Sequence, residues 1–436
     1  MGQTHHNDNI FALLRYDGPF ASLHDTPWVA PFSRQAKELV RELRCTGWIT
    51  KYRVLRNLIL ELLDVRSYGE VAGLLDNPEA REQVSCRAYR LLANMFGIVG
   101  NEREVVTRVN GYSRTADAVI NYLRGKVLSS YAPYIEMTNE IDSIRNPVEL
   151  LLILFDDRYH KKARFEAKRK LILMNLAASI DQRERETGIE LKFSQFLDFL
   201  NQHVWSSNLK IGELDIAYLA SHHDEATYAC TDVKVLTPAQ LEDSPKEPGR
   251  KLTLIKRRRF RLNGKELPIY VSVRKKPPEA RVLKLLRKGA ENPAVAVDDE
   301  LGLMAVVDSV MEVKLFQKHL TRSASRAGSL MTLEEVSDTL EGGSHASGSI
   351  GRSKKTPMFK FFARMGGMRV EFIVHTNESY LNYMYQRGVS HDEYEVKRVF
   401  DSGVVELLFP KQIYHLDISD KKEAIIRWFR NRIEGF

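Results

Sequence analysis

The stretch MRVEFIVHT, residues 368–376, decides how the second half of this chain is read. Val370, Phe372, Ile373 and Val374 give it the density of a strand, and Asn377 closes it. Strand side chains alternate faces. Val370, Phe372 and Val374 therefore share one face, and Arg369, Glu371, Ile373 and His375 share the other. Ordinary alternation makes this an edge strand with one solvated face. The alternative is a carboxylate held over a pocket by a rigid element. The surrounding sequence bears on that choice.

Upstream, KLTLIKRRRFRLNGKELPIYVSVRKK (251–276) predicts two strands joined at Asn263-Gly264, a strong hairpin signal. PPEARVLKLLRKG (277–289) predicts a short helix, with Pro at its entry and Gly just past its end. LGLMAVVDS (301–309) reads as a strand and EVKLFQKHLTR as a helix. Residues 323–357 are rich in Ser and Gly and are expected to be mobile. After the 368–376 strand come a helix over 377–387, a strand at GVVELLFP and an amphipathic C-terminal helix.

The first half has a different character. KYRVLRNLILELLD carries a helical stripe at Val54, Leu55, Leu58, Ile59, Leu62 and Leu63. DNPEAREQVSCRAYRLLANMFG opens on Asn77-Pro78 and closes at Gly97. Further helical stretches are expected near 113–128, 147–155, 160–182 and 194–204. The run RYHKKARFEAKRK (158–170) is strongly basic: a solvated helix face, or a surface for RNA or a partner. The expected organisation is a loose arm over 1–30, a helical domain over 31–230, a linker over 231–250 and an α/β domain over 251–436. The fold class is α+β, a helical N-terminal half followed by a mixed-sheet domain.

A net charge of +8 over 436 residues permits anionic partners without requiring them. Cys45, Cys86 and Cys230 are far apart, which suggests neither a zinc knuckle nor a disulfide framework and fits a reducing, cytoplasmic setting. The apolar run VELLLILF is too short for a bilayer, and the N-terminal residues lack a signal-peptide core. No membrane or DNA partner is expected, and a homo-oligomer stays open.

Four pieces of the second half could meet. Arg274 and Lys276 leave the hairpin. Arg281, Lys284 and Lys288 share a helix face opposite Val282, Leu285 and Leu286. Asp298 and Asp299 precede the strand at Leu301, and Glu371 follows. A triphosphate site needs fixed cations, a carboxylate for Mg²⁺ and a base near the attacking hydroxyl. These residues supply all three.

Their order resembles the synthetase domain of the RelA/SpoT family of alarmone synthetases. The matching pieces are Arg274-Lys275-Lys276, Lys284, DELG (299–302), EFIVHT (371–376), GVSH (388–391) and Tyr394. They cover about 255–400. The resemblance implies a nucleotidyltransferase-like fold and transfer of pyrophosphate from ATP to a ribose 3′-hydroxyl of a nucleotide or tRNA. It implies Asp299 and Glu371 as catalytic, Mg²⁺-binding carboxylates. Arg274, Lys276 and Lys284 would grip ATP, with Arg281, Lys288, His375 and His391 as further nucleotide contacts.

The chain also departs from the family pattern. Met304 and Ala280 replace an Arg and a Ser, and Ile373 and His375 replace the Gln and Arg of E-x-Q-x-R-T. The family's G-Y-x-S-x-H loop has no counterpart, since residues 310–367 contain no Tyr. Phe359, Phe361 and Phe362, the nearby aromatics, are expected in the core. No H…HD…D metal array of the family's hydrolase half surrounds His223-Asp224. The alternative reading is a catalytically silent relative that binds nucleotide or RNA. A template-independent nucleotidyltransferase ranks last, because Gly342 to Ser344 has no D-x-D after it.

Overall fold

The computed structural model describes residues 10–15, 34–45, 47–206, 214–245, 247–297, 301–340 and 357–435. These divide into two units of interleaved segments. The helical unit takes Met1–Glu186, Pro277–Val297 and Arg398–Ile425, and the sheet unit takes Thr187–Lys276, Asp298–Lys397 and Ile426–Phe436.

In the helical unit, local signals set the helix starts. Asn77 caps Pro78–Met95 by accepting the Ala80 N–H, with Pro78 in the first turn. Asn101 and Glu104 form a capping box that opens Glu102–Tyr122. Pro147–Phe155 is buried except at Glu149. The basic run lies largely inside Lys161–Thr187, and its last three cations form neither a solvated face nor a free cationic surface. Lys168, Arg169 and Lys170 are all buried. Arg169 donates to the Leu408 carbonyl at 2.6 Å and the Tyr414 hydroxyl at 2.7 Å. Lys170 meets Asp117 at 2.9 Å and the carbonyls of Ile141 and Asp142 at 3.0 and 3.1 Å. Buried cations need such partners.

The sheet unit is built on eight strands: β1 (Asp215–His223), β2 (Cys230–Leu236), β3 (Lys251–Leu262), β4 (Lys265–Lys275), β5 (Leu301–Val307), β6 (Thr332–Asp338), β7 (Phe359–Met365) and β8 (Met368–Thr376). Their order is β2-β1-β3-β4-β5-β8-β7-β6. β5 and β8 run parallel, and the other neighbouring pairs are antiparallel. The β3–β4 hairpin turns at Asn263 and Gly264, with φ of 50° and 80°, as two positive-φ residues of a tight hairpin require. One face packs Phe260, Leu303, Ala305, Phe361, Phe372 and Val374 against helices Ile189–Phe199 and Val310–Arg326. The other packs Ala217, Leu219, Ile255 and Val306 against Tyr380 and Leu381 of helix Asn377–Tyr385.

The tail of helix Ile418–Glu434 is clasped into this unit by two reciprocal pairs. Arg430 meets Glu393 at 2.6 Å, and Arg387 meets Glu434 at 2.6 and 2.7 Å. Glu393 also takes Lys397 and the Gly388 N–H.

Several expectations change. β8 is a central strand, so Glu371 and His375 are buried rather than on a solvated edge. GVVELLFP contains the helix Val404–Leu408, not a strand. Residues 231–250, read as a linker, hold most of β2 and the short helix Pro238–Glu242. Within 323–357, the helix runs on to Arg326 and β6 follows; 341–356 lie outside the described residues. In the arm, Ile10–Leu14 forms a helical turn with Phe11 and Leu14 buried.

Candidate functional site

Register places a row of side chains across the sheet. Arg274 of β4 faces Gly302 of β5, Gly302 faces Glu371 of β8, and Glu371 faces Phe362 of β7. Directly opposed residues point to the same face. Gly302 contributes no side chain, and a Cβ there would stand 3.5 Å from Arg274 Nε. Arg274 therefore reaches across it, to 3.9 Å from Glu371 Oε2. On the far side, Lys360 Nζ lies 3.0 Å from Glu371 Oε1. Glu371 is 7 % exposed, and Arg274 keeps 40 % of its side chain in solvent.

Aromatic rings complete the patch. The Lys360 ammonium lies 4.4 Å, and the Arg369 guanidinium 3.6 Å, from the Phe362 ring centroid. Tyr383, from helix Asn377–Tyr385, stacks on His391 at 5.0 Å and tilts against His375 at 5.1 Å. Burial pushes the Tyr383 hydroxyl up to about 12, while the hydrogen-bonded Arg274 pulls it the other way. His375 is fully buried, with Nδ1 3.1 Å from Ser379 Oγ. Burial lowers it to about 3, slightly offset by the Pro357 backbone, so the ring is neutral near pH 7.

The expected residues divide between the two units. Arg274, Lys276, Glu371, His375 and His391 belong to the sheet unit. Arg281, Lys284 and Lys288 belong to the helical unit. Their helix does not present a cationic face, because Arg281 and Lys284 are buried alongside Val282, Leu285 and Leu286; Lys288 is exposed. Arg281 is ion-paired with Glu184. Asp298 and Asp299 lie outside the described residues.

All three phenylalanines are buried as expected, but Lys360, Tyr383 and the placement of Phe362 on the Glu371 face escaped the sequence reading. A signal existed. Alternation through FKFFARM puts Lys360, Phe362 and Arg364 on one face and Phe359, Phe361 and Ala363 on the other. The structure agrees: Phe361 stacks on Phe372 at 4.9 Å in the core, whereas Phe362 lies under the two cations.

Mg²⁺ takes oxygen ligands, usually one or two carboxylates with water and phosphate. Glu371 is the described member of the expected carboxylate pair, and Lys360 already neutralises one of its oxygens. No cluster of three metal-ligating side chains occurs among the described residues.

A separate cavity of about 510 Å³ lies at the carboxyl ends of β5 and β8, lined by Asp308, Ser309, Thr376 and Asn377 among others. It does not include Glu371. No described helix is long and apolar enough to cross a membrane. Compared with family models, curated proteins and solved structures, the chain matches none.

Proposed function

We propose that the sheet unit has a nucleotidyltransferase-like fold and works as a pyrophosphokinase resembling the RelA/SpoT synthetases. The observation that carries this reading is Glu371, a buried carboxylate on a central strand, registered against Gly302 of the D-x-x-G segment. The acceptor 3′-hydroxyl would attack the β-phosphorus of ATP. The new bond joins that oxygen to the β-phosphorus, the bond from the β-phosphorus to the α,β-bridging oxygen breaks, and AMP leaves. Glu371 would orient the hydroxyl and take its proton. Arg274, Lys276 and Lys360 would neutralise the phosphoryl oxygens, where charge develops. Mg²⁺, held by Asp299 and Glu371, would add to that neutralisation when bound. Tyr383 and His391 offer a ring stack beside Arg274 for the base or ribose. The acceptor would be a nucleotide or a tRNA end.

One observation favours a second reading. Lys360 engages Glu371 directly, as it would in a silent relative that binds nucleotide without transfer. The experiment is label transfer from γ-labelled ATP to GDP, GTP, ADP or tRNA, with Mg²⁺. Transfer that falls at least ~100-fold in Glu371→Gln, the usual loss of a general base, supports the first reading. ATP binding that is lost in Arg274→Gln, without transfer to any acceptor, leaves the second. Absence of Arg274-dependent ATP binding sinks both.

A further inference from the structure

The helical unit contains a cleft of about 930 Å³ between helices Glu102–Tyr122 and Lys161–Thr187, with Pro278 and Arg281 at one wall. Its size is that of a small-molecule site. Its charges are of two kinds. The three carboxylates on its walls are engaged within the protein. Glu104 accepts the Asn101 N–H at 2.8 Å in the capping box. Asp181 takes the Tyr112 hydroxyl at 2.6 Å, Arg108 at 3.2 Å and Arg185 at 3.1 Å. Glu184 takes Arg281. Arg103 and Arg114 also line the cleft, and neither guanidinium forms an ion pair or hydrogen bond among the described residues. Glu184 is neutralised by Arg281 and Asp181 by Arg108 and Arg185, whereas Glu104 keeps its charge, so the four arginines and three carboxylates of the lining leave an excess of one positive charge, with Arg103 and Arg114 outside any pair.

Those two arginines are placed regularly. Arg103, Thr107, Gly111 and Arg114 follow one another on one helix face at intervals of three or four residues. Eleven residues of helix separate the arginine Cα atoms by about 16 Å. Between them the floor is low. Thr107 turns its hydroxyl back to the Arg103 carbonyl at 2.7 Å. Gly111 stands inside a helix, where glycine costs about 1 kcal/mol relative to alanine. Packing gives no reason for it, because a Cβ there would meet only the tip of Arg114, at 3.6 Å. The missing side chain keeps the groove open between two cations.

We propose that this cleft binds a linear polyphosphate chain, free or attached to a nucleoside, with Arg103 and Arg114 gripping its ends. The guanidinium fork suits phosphate oxygens, and a chain charged along its length suits two cations set far apart. Gly111 and Thr107 provide the floor over which the chain lies. This site is independent of the transferase reading; of the residues expected there only Arg281 lines the cleft, and it is held by Glu184.

The test is calorimetric titration of the full chain with inorganic tripolyphosphate and, separately, with ATP at low ionic strength. Tripolyphosphate binding should weaken about tenfold for each arginine removed in Arg103→Gln and Arg114→Gln, as loss of a charged hydrogen bond implies. Gly111→Leu, which keeps a good helix former, should block the groove by filling its floor. Glu371→Gln with Arg274→Gln disables the sheet unit's proposed phosphate site, so the titrations are repeated in that background, where binding that still depends on Arg103 and Arg114 belongs to the cleft. ATP binding more tightly than tripolyphosphate, with the same arginine dependence, assigns the nucleoside-linked source; equal binding assigns the phosphate chain itself. Equal tripolyphosphate binding in wild type and the double arginine variant overturns the proposal, as does no binding to wild type. Far-UV circular dichroism of each variant establishes that loss of binding is not loss of fold.

Discussion

A carboxylate that is 7 % exposed stays in a fold only with cations beside it, and Glu371 has two. Lys360 is the nearer, at 3.0 Å. Removing one member of a buried pair strands the other. Lys360→Met should therefore destabilise the protein by about 3 kcal/mol, and Lys360→Met with Glu371→Leu should recover most of that loss. Urea unfolding of the two variants decides it; equal midpoints would mean the loss does not come from a stranded Glu371 carboxylate. At this scale the sequence was half legible. Glu371 stood out because it interrupts an apolar run. Lys360 was passed over because three phenylalanines around it read as one core block, although alternate residues of a strand belong to different surfaces. Tyr383 gave no signal, since its approach to Arg274 depends on how helix Asn377–Tyr385 lies on the sheet.

Among the elements, those with local punctuation were legible and those without were not. Asn263-Gly264 fixed a hairpin. Val404–Leu408 was misread because a short apolar run of valines and leucines fits strand and helix alike. Its burial settles the matter: 404, 405, 407 and 408 are inside and 406 is not, a helical spacing. The end of helix Ile418–Glu434 illustrates a contact invisible to periodicity. Burial alone would raise Glu393, but hydrogen bonds from Arg430, Lys397 and the Gly388 N–H more than offset it and hold the carboxyl at about 2. A depressed folded value stabilises above the ordinary value of 4.5, and that contribution is lost as pH falls from there towards about 2. Arg430→Gln should thus be less stable at neutral pH, and its deficit should close across that acid range. Parallel acid titrations followed by tryptophan fluorescence check this; a constant deficit down to pH 2 would remove Glu393 as the cause.

For the whole molecule, composition and periodicity revealed an α+β protein but not its partition. Helical and strand periods report what each segment is, not which segments share a core. β1 and β2 precede residue 251 yet belong to the same sheet as β3 to β8, and Pro278–Lys288 follows the hairpin yet belongs to the helical unit. A fragment of residues 251–436 should therefore fail to unfold cooperatively. It lacks β1, β2 and helix Ile189–Phe199, whose Phe196 packs edge-on to Phe372 at 6.1 Å. Thermal circular dichroism with size-exclusion chromatography tests this; a monodisperse fragment with a sharp melt would return the boundary to 251. The interleaving also bears on synthesis. The chain passes from one unit to the other five times, and each unit awaits a segment beyond residue 397. Neither can close while the ribosome is still translating the middle of the message. The helices that cover β8, Ile189–Phe199, Val310–Arg326 and Asn377–Tyr385, are all made by residue 385, so what the sheet unit still awaits beyond residue 397 is the clasp of Arg430 and Glu434.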